Sequence, residues 1–454
     1  MRRPLVGLVV AAFVVAGCEA DAPSPSLAPQ PPATTLPDRH SDDASLIATL
    51  PNDEHSLDFA NSDMAFWGDL LVQGSYDGFR VVGISDPGHP ETLAEVACRG
   101  PQGDVSMWEH LVFVSVDRPQ SSTGCESEDA EDADPLFLPD QGGWEGIRIF
   151  DVMAPSAPRL VGTVPTDCGS HTHTLVPDVA NGRVLLYVSS YALLQDERLA
   201  PECINPHGHI SVVDVPLDDP GAAALITQPH LFDTPAWEVA PGAPPNWHST
   251  AGCHDITVFI PLRLAAAACL SEGQIWDLSN PERPMAIAHV DLPEVAFWHS
   301  AAWSNDGSVV AFGDEDLSET GCSDDPGGAI WFYRVVDPRA PELAGHFSLD
   351  RYARPEVCSA HMFNVVPGVE RDLLVGGWYA GGTSVVDFTD PSAPREVAYY
   401  DVGGDQPGDV WSSYWYRGHV WVSDHHRGLD VLEVEMPELA GAVFLDRLNP
   451  QTQE

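Results

Sequence analysis

The sequence predicts an all-β protein, a single β-propeller of about seven four-stranded blades. Three observations predict it: a strand-and-turn unit that recurs along the body, further hydrophobic strands upstream of each copy, and no amphipathic helix of convincing length. Each copy is a hydrophobic strand, an aspartate or nearby polar residue, and then Pro-x-x-Pro.

The first copy is Val81-Val82-Gly83-Ile84-Ser85-Asp86-Pro87-Gly88-His89-Pro90. Ile147-Arg148-Ile149-Phe150-Asp151 follows with Pro155 and Pro158, and Gln274-Ile275-Trp276-Asp277 with Pro281 and Pro284. Ile330-Trp331-Phe332-Tyr333 carries Pro338 and Pro341, and Ser384-Val385-Val386-Asp387 carries Pro391 and Pro394. A looser copy at Ile210–Asp214 reaches Asp219-Pro220 without a second proline, and the last, Gly428–Val434, lacks the turn. The first prolines, Pro87, Pro155, Pro220, Pro281, Pro338 and Pro391, lie 53 to 68 residues apart. Familiar propeller repeats run to about 40–50 residues. Polar insertions such as Glu126–Asp134 and Asp314–Gly328 account for the excess. Proline suits a turn after a strand, where no ladder N–H is required.

Upstream strands read as Asp69–Ser75, His110–Ser115, Arg183–Val188 and Gly418–Ser423, and Asn305-Asp306-Gly307 is a hairpin signal. Four strands per unit close best as a radial propeller, which leaves few exposed sheet edges. Six to eight blades fit the spacing, and seven matches the copies. The propeller is expected over 52–449, with 450–454 as a short tail.

Residues 1–17 read as an export signal: Arg2-Arg3, an apolar run from Leu5 to Val15, and Ala16-Gly17 before Cys18. The setting is that of a lipobox, with Cys18 carrying the lipid. Residues 18–51, rich in Pro, Ala, Ser and Thr, read as a disordered tether. No later segment approaches the roughly 20 apolar residues that span a bilayer, so the lipid is the expected membrane attachment.

Acidic residues number 68 against 21 basic ones, all arginine, for a net charge of −47. Such a surface repels nucleic acid and anionic headgroups and favours cations. The nine cysteines less Cys18 leave an even eight for an oxidising compartment. Spacing alone leaves the connectivity open. Nearest-neighbour pairing gives Cys98–Cys125, Cys168–Cys203, Cys253–Cys269 and Cys322–Cys358, each pinning one loop.

The phrases Ser384-Val385-Val386-Asp387-Phe388-Thr389-Asp390-Pro391 and Gly146-Ile147-Arg148-Ile149-Phe150-Asp151 resemble the LVIVD repeat of bacterial and archaeal surface propellers. The resemblance covers roughly 60–435. It implies a propeller at the cell surface and brings no established activity with it.

Several first strands open on histidine: His173-Thr174-Leu175-Val176, His254-Asp255-Ile256-Thr257, His299-Ser300-Ala301-Ala302 and His361-Met362-Phe363-Asn364. First strands line a propeller channel, so these four are expected to converge near one mouth. Imidazole is the commonest metal ligand, and such a ring suits Zn, Cu, Ni or Fe. His171, Glu272, Asp314 and Glu315 are candidate further ligands or orienting groups, with Asp255 close by. Histidine at that register serves equally to hydrogen-bond backbone groups between blades. The acidic loops Glu126–Asp134 and Asp314–Asp325 offer oxygen ligands for Ca²⁺ without EF-hand spacing. Asp424-His425-His426 reads as a solvated turn. No G-x-S-x-G, P-loop or dinucleotide motif occurs.

The expected function is that of a monomeric, lipid-anchored binding module outside the cytoplasm, facing an extracellular protein, glycan or small ligand. The alternative is a metal-dependent extracellular enzyme, oxidase-like or hydrolytic, that uses the channel histidines.

Overall fold

The computed structural model describes residues 37–454 apart from 53–59, 131–142, 191–202, 204–206, 231–251, 319–320, 324–325, 352–355 and 405–406. The expected signal segment, Cys18 and the tether as far as residue 36 lie outside the described residues. Among those residues the chain is strands, turns and single-turn 3-10 helices.

Successive strands pair antiparallel in sets of four. The sets begin with Asn61–Trp67, Val105–Trp108, Thr172–Asp178, Ile256–Phe259, Trp298–Trp303, Met362–Val365 and Val410–Tyr416. Each of these first strands packs against the next, and Val410–Tyr416 packs back on Asn61–Trp67. The innermost strands therefore ring a central channel, which is the architecture of a β-propeller. The last two sets are fused into one nine-stranded sheet by a parallel pair, Met362–Ser412 and Phe363–Ser413.

The recurring sequence unit is the third strand of each set together with its turn. Its aspartate caps the turn: Asp151 Oδ1 accepts the Met153 N–H, Asp277 Oδ1 that of Ser279, and Asp387 Oδ1 that of Thr389. One turn further on, Ala157 N–H to Ala154 O and Ala393 N–H to Asp390 O close the bend. These are Asx and β-turn bonds, which explains the aspartate-then-proline spelling. Register shifts between third and fourth strands recur, as at Val81/Val82, Ile275/Trp276, Phe332/Tyr333 and Val385/Val386. Such bulges add local twist.

Inner strands are covered on both faces and read as unbroken apolar runs rather than alternating ones. Leu264–Cys269 shows how both faces are used. Ala265, Ala267 and Cys269 pack towards Tyr187 and Trp276, while Ala266 and Ala268 pack towards Trp298 and Trp303. Small side chains are needed because large indoles press from either side.

Both ends of the described chain join the ring. Ala44–Pro51 forms the outer strand beside Gly428–Val434, from Ala44 opposite Val434 to Pro51 opposite Gly428. The disorder expected over 18–51 therefore does not extend to Ala44–Pro51, which is a paired strand. The final set, whose own chain lacks the proline turn, takes its fourth strand from the N-terminal side. Leu46 packs on one face and Ile47, Ala48 and Leu50 on the other, the switch falling at the register shift between Leu46 and Ala48.

The expected tail 450–454 is likewise built in. Arg447–Leu448 pairs with Phe66–Trp67, and Thr452–Gln453 runs parallel to Val258–Phe259. Asn449 bonds both N–H and carbonyl of Met107, and Gln453 does the same to Trp303. Gln451 Nε2 donates to Asp63 Oδ2 at 3.0 Å inside the channel. The C-terminal segment thus crosses the mouth at the far ends of the first strands.

Four disulfides link Cys98–Cys125, Cys168–Cys203, Cys253–Cys269 and Cys322–Cys358. Each joins neighbours in sequence, and the set fits an oxidising compartment. No helix among the described residues is long and apolar enough to cross a membrane.

Candidate metal centre at the channel mouth

Three of the four register histidines meet. The His254 and His299 rings lie 3.7 Å apart and those of His299 and His361 4.3 Å apart, all three buried. They are carried by the opening residues of three consecutive first strands. Supports fix each one. The Cys253–Cys269 disulfide immediately precedes His254, and Asp255 N–H donates to His299 O. Ser300 Oγ donates to His361 O at 2.6 Å.

His361 Nδ1 lies 2.6 Å from Trp411 O, so Nδ1 carries the proton and Nε2 presents a lone pair. That nitrogen faces Glu315 Oε1 at 3.7 Å, and His299 Nε2 faces Glu315 Oε2 at the same distance. Tyr379 OH donates to Glu315 Oε1 at 2.6 Å and aims the carboxylate. These separations exceed a hydrogen bond. They suit donors on one ion, because ligands bound about 2.0–2.1 Å from a metal stand roughly 3–4 Å apart.

The other nitrogen of His299, Nδ1, is buried without a hydrogen-bond partner and lies 4.0 Å from Asp255 Oδ2. A second ligand group, His254, Asp255 and His299, therefore abuts the first, His299, Glu315 and His361. An orphaned buried imidazole nitrogen costs stability in the free protein unless something binds it.

His171, rather than His173, fills the next place around the ring. His171 Nε2 lies 2.8 Å from His254 Nε2, and its Nδ1 lies 2.9 Å from Asp117 Oδ2. His254 Nδ1 in turn lies 3.1 Å from Asp255 Oδ2. Two neutral imidazoles supply two protons to these three contacts, so the chain calls for a third. Burial pushes the Asp255 carboxyl up to about 7, which lets it keep that proton near neutrality. Burial likewise pushes Glu315 up to about 7 against the Tyr379 hydrogen bond. Burial, then the neighbouring imidazoles, hold His299 well below the usual histidine range. Burial does the same to His254 and His361. Neutral histidine is the form that binds metal.

The remaining expected ligands are placed elsewhere. His173 points the other way along its strand, with Nε2 2.7 Å from Ser106 Oγ and Nδ1 2.8 Å from Ser115 Oγ. Side chains alternate along a strand, so His171 and His173 share a face only inside regular β structure. His171 precedes Thr172–Asp178, and the parity is lost there. Asp314 Oδ1 accepts the N–H groups of Ala296 and Phe297, anchoring the turn that leads into the strand of His299. It supports a ligand strand without joining the ligands. Glu272 accepts from Gln274 Nε2 and joins no three-ligand group.

Neither acidic loop gathers three donor side chains among the described residues. Asp129 instead pairs with Arg99 and Gln120. Residues 131–134, 319–320 and 324–325 of those loops lie outside the described ones.

Sequence reasoning missed several residues of the mouth. Tyr76, Tyr379, Asp409, Trp411 and His425 line the open cavity of about 400 Å³ above the histidines. His425 lies in the expected turn, where His426 is exposed, but is itself held: its Nδ1 lies 2.9 Å from Asp409 Oδ2, and its ring stacks on Tyr379. Asp424, beside it, is buried and caps the His426 and Arg427 N–H groups.

No family model matches this sequence, and no curated protein matches it. Solved structures do share its fold. A protein from Lactobacillus plantarum is similar at a TM-score of 0.53 and 12% identity, over 86% of this chain and 96% of that one. The periplasmic gluconolactonase of Pseudomonas aeruginosa is similar at a TM-score of 0.51 and 13% identity, over 87% and 97%. At such identities the likeness is one of fold.

Proposed function

We propose that this chain is an exported, monomeric propeller of seven blades, lipid-anchored through Cys18, that binds a transition-metal ion at its open channel mouth. The ion belongs to the imidazole-preferring group Zn, Cu, Ni and Fe. His299, His361 and Glu315 hold it, with His254 and Asp255 adjoining. The repeat's likeness to LVIVD propellers and the four disulfides support placement outside the cytoplasm. The observation that carries the reading is the trio itself: buried His299 Nε2 and His361 Nε2 each stand 3.7 Å from the one carboxylate of Glu315, too far for a hydrogen bond and close enough to share an ion.

The bound ion faces a cavity of about 400 Å³, within the range of small-ligand sites. A small extracellular ligand that completes the coordination is the partner this geometry favours. A second reading is metal-dependent hydrolysis or oxidation: an ion held by two imidazoles and one carboxylate, and facing an open cavity, can activate a water there. Propellers host many unrelated activities, so fold does not choose between the two.

The test is stripping purified protein with chelator and titrating it with Zn²⁺, with His361→Ala in parallel. A variant that binds one ion fewer per chain than the wild type supports the reading, and equal binding in both overturns it. Assay of the zinc-loaded protein on gluconolactone then separates binder from hydrolase for that substrate class.

A further inference from the structure

A second cluster lies apart from the mouth, where two loops are tied by the Cys168–Cys203 disulfide. Asp167 precedes the first of these cysteines, and His207-Gly208-His209 follows the second. His209 Nε2 stands 2.7 Å and His207 Nε2 3.3 Å from the same oxygen, Asp167 Oδ2. Asp167, His207 and His209 together form a compact three-donor group.

The hydrogen bonds around the group define what it presents. Asp167 Oδ1 accepts from Gln228 Nε2 at 2.5 Å and from Ser211 Oγ at 3.2 Å, which turns Oδ2 to the histidines. His207 Nδ1 lies 3.2 Å from the Ser190 carbonyl, an acceptor only, so Nδ1 holds the proton of the neutral ring. Its Nε2 lone pair then points at a carboxylate oxygen. Two lone pairs face one another unless a cation stands between them. The pair bond of His209 with His230 fixes the backbone behind the second imidazole. His207 is buried, whereas the side chains of Asp167 and His209 keep 18% and 19% of their surface, so an ion has a route in.

We infer that Asp167, His207 and His209 form a second site for a divalent transition-metal ion, independent of the channel mouth. Two imidazoles and one carboxylate with open positions suit Zn²⁺ or Fe²⁺. The orienting contacts from Ser190, Ser211 and Gln228 are of the kind that set ligand tautomer and angle in metal sites. The ion there ties the strand Ser211–Pro216 to the loop carrying Cys168, reinforcing the disulfide.

The test uses the full chain carrying His299→Gln, which disables the mouth, stripped and titrated with Zn²⁺ by calorimetry. One ion per chain is expected, with affinity reduced at least tenfold by a further His209→Gln. Asp167→Asn, which keeps the side chain's shape, provides the parallel variant, and an unchanged apo melting temperature shows that it folds. Absence of binding in His299→Gln, or binding indifferent to both further changes, overturns the inference. A histidine that merely carries an extra proton beside Asp167 produces the first of these outcomes. The mouth reading fails separately, if His299→Gln binds as many ions as the wild type.

Discussion

The two mouths of the channel are built from the same seven strands and treat their polar groups in opposite ways. At the lower mouth the C-terminal segment matches the strand ends. Asn449 and Gln453 use both amide atoms on Met107 and Trp303, Gln451 reaches Asp63, and Thr452 Oγ1 donates to Leu175 O. At the upper mouth His299 Nδ1 and Asp255 Oδ1 are buried without partners, and Glu315 stands 3.7 Å from two imidazoles. Buried polar groups are ordinarily satisfied, and at the upper mouth the exceptions gather beside a group of metal-ligand side chains. We therefore read the lower end as structural and the upper end as the one proposed to bind an ion.

Deleting 449–454 should have the largest effect on stability. It removes six side-chain bonds at about 1 kcal/mol each, for a loss of roughly 6 kcal/mol in denaturant unfolding. Metal bound per chain should stay unchanged. If the truncated chain loses its metal while still folded, the division between the two ends is wrong.

The carboxyl at the upper mouth should show itself through pH. The Asp255 carboxyl is raised to about 7 by burial, above its unfolded value. Below about pH 4 both states are protonated and the group costs nothing. From about pH 4 to 7 only the unfolded chain ionises, so stability falls as pH rises, by up to about 1.4 kcal/mol per unit, and then levels off. Metal-free Asp255→Asn should show a shallower slope, because Glu315 and the other raised carboxyls still contribute theirs. Parallel melting curves at pH 4.5 and 7 measure it, and identical slopes would contradict the account.

The Cys253–Cys269 bridge closes a short loop beside His254. Replacing both cysteines by alanine should cost about 3 kcal/mol and also weaken metal binding. The smallest effect is expected at His173, whose two nitrogens already meet serines. His173→Gln should cost about 1–2 kcal/mol in unfolding free energy with full metal content retained. Loss of metal there would return His173 to the ligand set.

Much of the fold is legible because its signals are local. The Asp-capped proline turn is written within ten residues, and it repeats. His254, His299 and His361 are legible for a related reason, since each opens a first strand. The ring's closure by Ala44–Pro51 and the plug at 449–454 depend on partners hundreds of residues away and carry no local mark. Tyr379, Asp409 and His425 reach the mouth from different parts of the chain, so no spacing announces them, whereas Glu315 is legible beside the register histidines. Asp167 with His207 and His209 did leave a trace. Both halves adjoin cysteines, and nearest-neighbour pairing brings them together.

The most direct measurement is anomalous diffraction at the zinc edge from crystals of the zinc-loaded protein. The account predicts a peak about 2.1 Å from nitrogens of His299 and His361 and within bonding reach of Glu315. A mouth without a peak, in crystals whose protein carries zinc elsewhere, would contradict it.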